Sequence, residues 1–197
     1  MIAGEAGGRR LAVPGGRDTR PTSDRAREGL FATISSMAGS LAGARVLDLY
    51  AGSGAVGLEA LSRGAEHVLL VEHGARAAGV IRENIEAIGL PGAVLATGTV
   101  ERVLTSGPEG DRYDVVFADP PYALADASVS RVLSLLAGRG WLAPGALVIV
   151  ERATRSGPPD WPEGFMSART RTYGEATFWY GLGPKTPKTP HSNLASP

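Results

Sequence analysis

Short apolar runs recur through the middle of the chain, separated by stretches in which apolar residues return every three or four positions. That alternation predicts βαβ units in a parallel sheet buried on both faces. The runs predict strands over 45–50, 67–72, 93–97, 114–118 and 146–151. Helical spacing covers 54–63 and again 74–88, where Ala77, Val80, Ile81, Ile85 and Ile88 form one stripe and Gly89 is placed to stop the helix. A further helix is expected over about 128–136. Past Ser156-Gly157-Pro158-Pro159 the pattern changes to two strand-like runs, 165–172 and 175–182, joined at Tyr173-Gly174. The second holds Ala176-Thr177-Phe178-Trp179-Tyr180, whose aromatic and β-branched content predicts a closing antiparallel hairpin.

Upstream of the first strand, Thr22 is a candidate cap for a helix reaching about Met37, with Ala26, Leu30, Ile34 and Met37 inward and Asp24, Arg25, Arg27 and Glu28 on the exposed face. Short apolar pieces around Arg9 and Arg10 suggest a small hairpin within the first 14 residues. From Gly183 onward the Pro-Lys-Thr repeats predict a disordered tail. The 197 residues therefore divide into an arm and helix over 1–40, one α/β domain over 41–182, and a tail over 183–197.

Composition narrows the chemistry. No apolar run approaches the roughly 20 residues of a membrane span, and the start lacks a basic-then-apolar signal pattern, so a soluble, cytoplasmic monomer is expected. Without a single cysteine, disulfides, thiolate metal sites, iron–sulfur clusters and thiolate nucleophiles are excluded. His67, His73 and His191 show no metal spacing, so no metal is expected, and Trp141, Trp161 and Trp179 read as packing residues. Net charge is zero, but it is unevenly spread: residues 1–30 hold six arginines against four acids, whereas residues 41–150 hold eight basic and twelve acidic residues. A basic arm on an acidic body fits a nucleic-acid reader, and a solvated mixed-charge surface fits it equally.

The first strand runs into Asp48-Leu49-Tyr50-Ala51-Gly52-Ser53-Gly54-Ala55-Val56-Gly57. Glycines at a strand-to-helix turn let the backbone approach a nucleotide, and Glu72, ending the second strand, is placed to accept from ribose hydroxyls. Asp48 favours a cationic, amino-acid-bearing ligand such as S-adenosylmethionine over the anionic pyrophosphate of a dinucleotide. At the end of the fourth strand stands Asp119-Pro120-Pro121-Tyr122, a rigid turn at the carboxyl edge of the sheet, where open α/β folds bind ligands. An exocyclic base amine is a poor nucleophile because its lone pair is delocalised. Hydrogen bonds to the Asp119 carboxylate and the Pro120 carbonyl would hold it pyramidal, with Tyr122 stacked on the base.

The tetrapeptide together with 48–54 resembles the class I amino-methyltransferases. Gly8-Arg9-Arg10-Leu11 and Arg20-Pro21-Thr22-Ser23-Asp24-Arg25-Ala26-Arg27-Glu28-Gly29-Leu30-Phe31 narrow the likeness to the RsmD family of bacterial 16S rRNA guanine-N(2)-methyltransferases, over about residues 1–181. The resemblance implies a Rossmann-like, seven-stranded, mostly parallel sheet, S-adenosylmethionine as donor with S-adenosylhomocysteine as product, catalysis at 119–122, and 16S rRNA or the small ribosomal subunit as partner. It places the cofactor against Asp48, Tyr50, Ala51, Gly52, Ser53, Gly54, Glu72, His73, Thr99 and Val100. Where such enzymes often carry an acid near the adenine, this chain has Thr99. Arg9, Arg10, Arg20, Thr22, Arg25 and Arg27 are the expected RNA contacts, with Arg20 or Arg27 alternatively pairing Asp24 or Glu28, and Arg152, Arg155, Arg169 and Arg171 forming the next surface to consider. Three alternatives stay open: an amino-methyltransferase acting on another RNA or DNA base, a nicotinamide-dependent oxidoreductase using the Gly52, Gly54 and Gly57 turn, and a non-catalytic RNA-binding module.

Overall fold

Strands that are apolar along most of their length need a covering layer on each face, and the chain builds both. The computed structural model describes residues 1–14 and 24–185. In chain order they form α1 (Asp24–Ala38), β1 (Arg45–Leu49), α2 (Ala55–Ser62), β2 (His67–Glu72), α3 (Ala75–Ile88), β3 (Ala93–Thr97), α4 (Val100–Ser106), β4 (Tyr113–Ala118), α5 (Asp126–Gly138), β5 (Leu142–Ala153), a 3₁₀ turn (Thr154–Ser156), β6 (Met166–Tyr173) and β7 (Ala176–Leu182). The seven strands make one sheet in the order β3-β2-β1-β4-β5-β7-β6, parallel except for β7, which runs antiparallel to β5 and β6. Successive strand residues point to opposite faces. Val46, Phe117 and Ile149 thus join Leu30, Phe31, Leu58 and Ile81 under α1, α2 and α3, while Leu47, Val116 and Val148 meet Leu104, Val132 and Leu136 under α4 and α5.

Several boundaries differ from the sequence expectation for physical reasons. β5 begins at Leu142 rather than 146, because Pro144 and Gly145 (φ +74°) sit in a bulge across which the pairing jumps from Tyr113↔Leu142 to Val115↔Leu147. α4 was not anticipated: its seven residues carry too short an apolar repeat, and Thr99 starts it by accepting from the Arg102 N–H. On α3 the buried stripe is Ala78, Ile81, Asn84 and Ile88, so Ala77 and Val80 lie at its margin. Gly89 does end that helix, in the left-handed conformation at φ +65°.

The first 14 residues contain no strand, contrary to the expected hairpin. Their backbone donors are met by side chains of the domain instead of by a partner strand. The Glu59 carboxylate accepts from Ile2 and Ala3, Ser62 Oγ accepts from Ala6, and Asn84 both accepts from and donates to Ala12. Ala6 is buried in the same core as α1 and α2, so arm and domain share one interior. Arg27, expected on the exposed face of α1, is buried and paired with Asp24 at 2.6 Å. At the other end the chain stays hydrogen-bonded beyond 182: the Gly183 N–H donates to Ala146 and the Pro184 carbonyl accepts from Gly145. The expected cap Thr22 and the remainder of the predicted tail lie outside the described residues.

Candidate active site

β1 delivers the glycine-rich turn to the carboxyl edge of the sheet. Its residue Asp48 is buried and its Oδ2 accepts the Gly57 N–H at 2.8 Å, tying the end of the strand to the first turn of α2. A Cβ at Gly57 would come within 2.7 Å of Val68 and 2.9 Å of Leu70, so only glycine lets α2 close on the sheet. Tyr50 is the one non-glycine among the described residues with positive φ, at 60°. That conformation turns the chain sharply toward Gly52 and Gly54. Glu72, at the end of β2, accepts the Gly52 N–H through Oε2 at 2.9 Å and the Gly74 N–H through Oε1 at 2.7 Å. The anticipated ribose acceptor thereby also holds the turn in place.

Four carboxylates converge here. Asp48 is in register with Leu70 and Phe117, and Phe117 with Ile149. Two residues further along their strands stand Glu72, Asp119 and Glu151, all on the α1–α3 side by the alternation of the pleat. Burial pushes the Asp48 carboxyl up to about 7, with the Gly57 N–H acting against it and the Glu72 charge adding to it. Asp119 is held well above the ordinary carboxylate range by burial first, then by the charges of Glu151 and Asp48. Glu151 was not foreseen from the sequence, since its place beside Asp119 follows only from the β4–β5 register. An anionic pyrophosphate would meet repulsion from this cluster, whereas a cationic ligand would relieve it.

The Asp119-Pro120-Pro121-Tyr122 turn leaves β4 with the Asp119 N–H donating to the Leu49 carbonyl at 3.3 Å, so the tetrapeptide lies directly against the glycine turn. Tyr122 is 43 % exposed, an aromatic face open to solvent at the rim. The Tyr50 hydroxyl is buried with no hydrogen-bond partner among the described residues, and burial raises its pKa. A cavity of about 240 Å³ between Thr105, Arg112, Arg139 and Pro184 lies at the opposite, amino edge and is lined by no carboxylate. It is therefore not the chemical site.

Other anticipated residues have defined places. Ala51 donates to the Val71 carbonyl and accepts from Gly54, and the Ser53 carbonyl accepts from Asn84. His73 is exposed, with Nδ1 3.3 Å from Glu72 Oε1. Thr99 sits at the carboxyl edge as the α4 cap, and Val100 is buried beneath it. Among the arm cations, Arg9 donates to the Ala87 and Ile88 carbonyls at 3.2 and 2.6 Å, closing the end of α3. Arg10 and Arg25 are exposed, Arg27 is buried, and Arg20 and Thr22 lie outside the described residues. Arg152, named with the second basic surface, is instead buried and paired with Asp126. Asn84 was missed as well, although a polar residue inside the apolar stripe of α3 was its available signal.

The family model described as "Conserved hypothetical protein 95" matches residues 1–181. The chain is 33% identical over 178 residues, covering 90% of it and 86% of the relative, to the ribosomal RNA small subunit methyltransferase D of Escherichia coli K12. Its fold is similar to that of an Escherichia coli chain described as a proposed methyltransferase, at TM-score 0.81 and 30% identity over 94% of this chain and 97% of that one. At TM-score 0.60 and 17% identity, over 80% and 79%, it shares the fold of a Synechocystis magnesium protoporphyrin IX methyltransferase solved with bound S-adenosylmethionine.

Proposed function

Since the chain belongs to the RsmD family, whose model spans residues 1–181, we propose that it transfers a methyl group from S-adenosylmethionine to the exocyclic 2-amino group of a guanine in 16S rRNA of the small ribosomal subunit. The observation that carries this reading is the placement of Asp119 and Pro120 against the glycine turn, within the reach of both Asp48 and Glu151 charges. The residues fit the cofactor: two buried carboxylates, Asp48 and Glu72, flank a turn of closely approachable backbone, and a buried Tyr50 hydroxyl awaits a partner. Asp48, Tyr50, Ala51, Gly52, Ser53 and Gly54 would hold its amino-acid part, Glu72 and His73 its ribose, and Thr99 and Val100 its adenine. When bound, S-adenosylmethionine supplies an electrophilic methyl group on a sulfonium.

The chain's own residues do the rest. The Asp119 carboxylate and the Pro120 carbonyl each accept one hydrogen of the guanine amine, which localises the nitrogen lone pair and aims it. Pro121 keeps the turn rigid, and Tyr122 offers its exposed ring to the base that has left its stack. Methylation leaves the nitrogen with a surplus proton. Asp119, whose proton affinity is raised by burial and by Glu151, is the group placed to take it. The exposed arm residues Arg10 and Arg25, with Arg20 and Thr22 beside them in sequence, bind the RNA backbone, while Arg9 and Arg27 brace the arm.

Incubating the protein with labelled S-adenosylmethionine and either protein-free 16S rRNA or small subunits, then digesting to nucleosides, tests the proposal. Label in N2-methylguanosine is expected. Label in another nucleoside, or none in either substrate, overturns it.

A further inference from the structure

The tetrapeptide opens a loop that runs to Asp126, the first residue of α5, and that must be fixed if Asp119 and Pro120 are to meet the amine at a constant distance. Leu124 turns back to donate to the Pro121 carbonyl at 2.8 Å, but a single local bond does not attach the loop to the sheet. The attachment comes from β5. Arg152 is only 4% exposed, and it lies on the face opposite Glu151, toward α5. Its Nη1 and Nη2 both donate to the Leu124 carbonyl at 3.2 Å, and Nη2 also donates to Asp126 Oδ1 at 2.6 Å. The planar guanidinium thus grips the last residue of the loop turn and the first residue of α5 together.

We infer that Arg152 is a positioning residue for methyl transfer, clamping the Leu124 carbonyl and the Asp126 carboxylate so that Asp119-Pro120-Pro121-Tyr122 is held against the glycine turn. This rests on the methyl-transfer reading above. A buried cation is costly to keep unless it is fully paired, and no lysine could supply the same two-acceptor fork. Arg152 touches neither base nor reacting atoms in this account; it acts through the loop. Displacement of reacting groups by about 1 Å lowers turnover by up to about 100-fold, with ground-state binding little changed.

The test uses the full chain with 16S rRNA and S-adenosylmethionine, comparing Arg152→Met, Arg152→Lys, Asp126→Ala and the Arg152→Met/Asp126→Ala double variant. Expected are a kcat lowered about 10- to 100-fold in Arg152→Met and less in Arg152→Lys, cofactor affinity by calorimetry within threefold of wild type, and a double variant no slower than Arg152→Met alone. Amide exchange at Leu124 should quicken in Arg152→Met. Asp126 is exposed, so Asp126→Ala, which removes the acceptor and should lower kcat in the same direction, keeps the test available if burial makes Arg152→Met unstable. Wild-type kcat in Asp126→Ala and in Arg152→Lys, or equal loss of cofactor affinity and kcat, overturns the clamp. Failure of the wild-type chain to methylate RNA would instead overturn the methyl-transfer reading itself.

Discussion

Asp48→Asn keeps a side-chain oxygen for the Gly57 N–H and removes a buried charge, and it should make the protein more stable above neutrality. Folding raises the Asp48 pKa from 3.8 to about 7. Between those values the folded chain keeps a proton that the unfolded chain has released, so stability falls as pH rises and the loss is complete above the folded pKa. The gap corresponds to about 4 kcal/mol at full ionisation, of which about 3 kcal/mol develops between pH 5 and pH 8. The new amide N–H₂ lacks an assured partner, at a cost of about 1–3 kcal/mol, but that cost does not vary with pH. The slope is therefore the diagnostic quantity. Urea unfolding of both proteins at pH 5, 6, 7 and 8 measures it, and the variant should gain about 3 kcal/mol on the wild type across the series. A difference that stays constant with pH would show that Asp48 is ionised throughout and refute the reasoning. If the same charge is offered to the cationic cofactor, as proposed, the variant should also bind S-adenosylmethionine more weakly.

Three further outcomes follow from the site. If ionised Asp119 is the acceptor, kcat should rise with pH through a value well above the ordinary carboxylate range, and Glu151→Gln should move that limb to lower pH; a profile flat from pH 5 to 9 contradicts this. Glu72→Gln should weaken S-adenosylmethionine about ten- to a hundredfold by calorimetry, since a charged acceptor contributes about 1.5–3 kcal/mol and also holds the Gly52 and Gly74 amides; unchanged affinity removes Glu72 from the site. Arg9→Ala should cost about 0.5–1.5 kcal/mol of stability through the lost contact with the end of α3 while leaving the salt dependence of RNA binding unchanged; a shallower salt slope would mean that Arg9 contacts phosphate after all.

What was legible in the sequence is what local pattern controls. Strands β1 to β5 were visible because most of their residues are apolar, and the motifs at the carboxyl edge were visible because glycines and prolines mark turns whatever surrounds them. The tertiary contacts of Arg9, Asn84, Glu151 and Arg152, and the burial of Arg27, were not visible for one shared reason. Each is a polar residue whose partner lies elsewhere in the fold: Arg9 on the end of α3, Asn84 on Ala12 and Ser53, Arg152 on Leu124 and Asp126, and Glu151 beside Asp119 by strand register. Arg27 finds Asp24 only three residues away, yet its burial depends on how α1 docks. An arginine reads as a solvated cation until tertiary packing supplies its acceptors, and Arg9, Arg27 and Arg152 find theirs inside the fold. α4 escaped for a different reason, being only seven residues long and started by a threonine that was read as a ligand contact.

The proposed role of Asp119 in holding the guanine amine is open to the most direct test. Asp119→Ala, assayed for S-adenosylmethionine binding by calorimetry and for label transfer to 16S rRNA in the same preparation, separates that role from cofactor binding. Expected are cofactor affinity within about threefold of wild type, a change under about 1 kcal/mol, and no label in N2-methylguanosine. Transfer at a rate comparable to wild type, or loss of transfer accompanied by loss of cofactor binding, would contradict it.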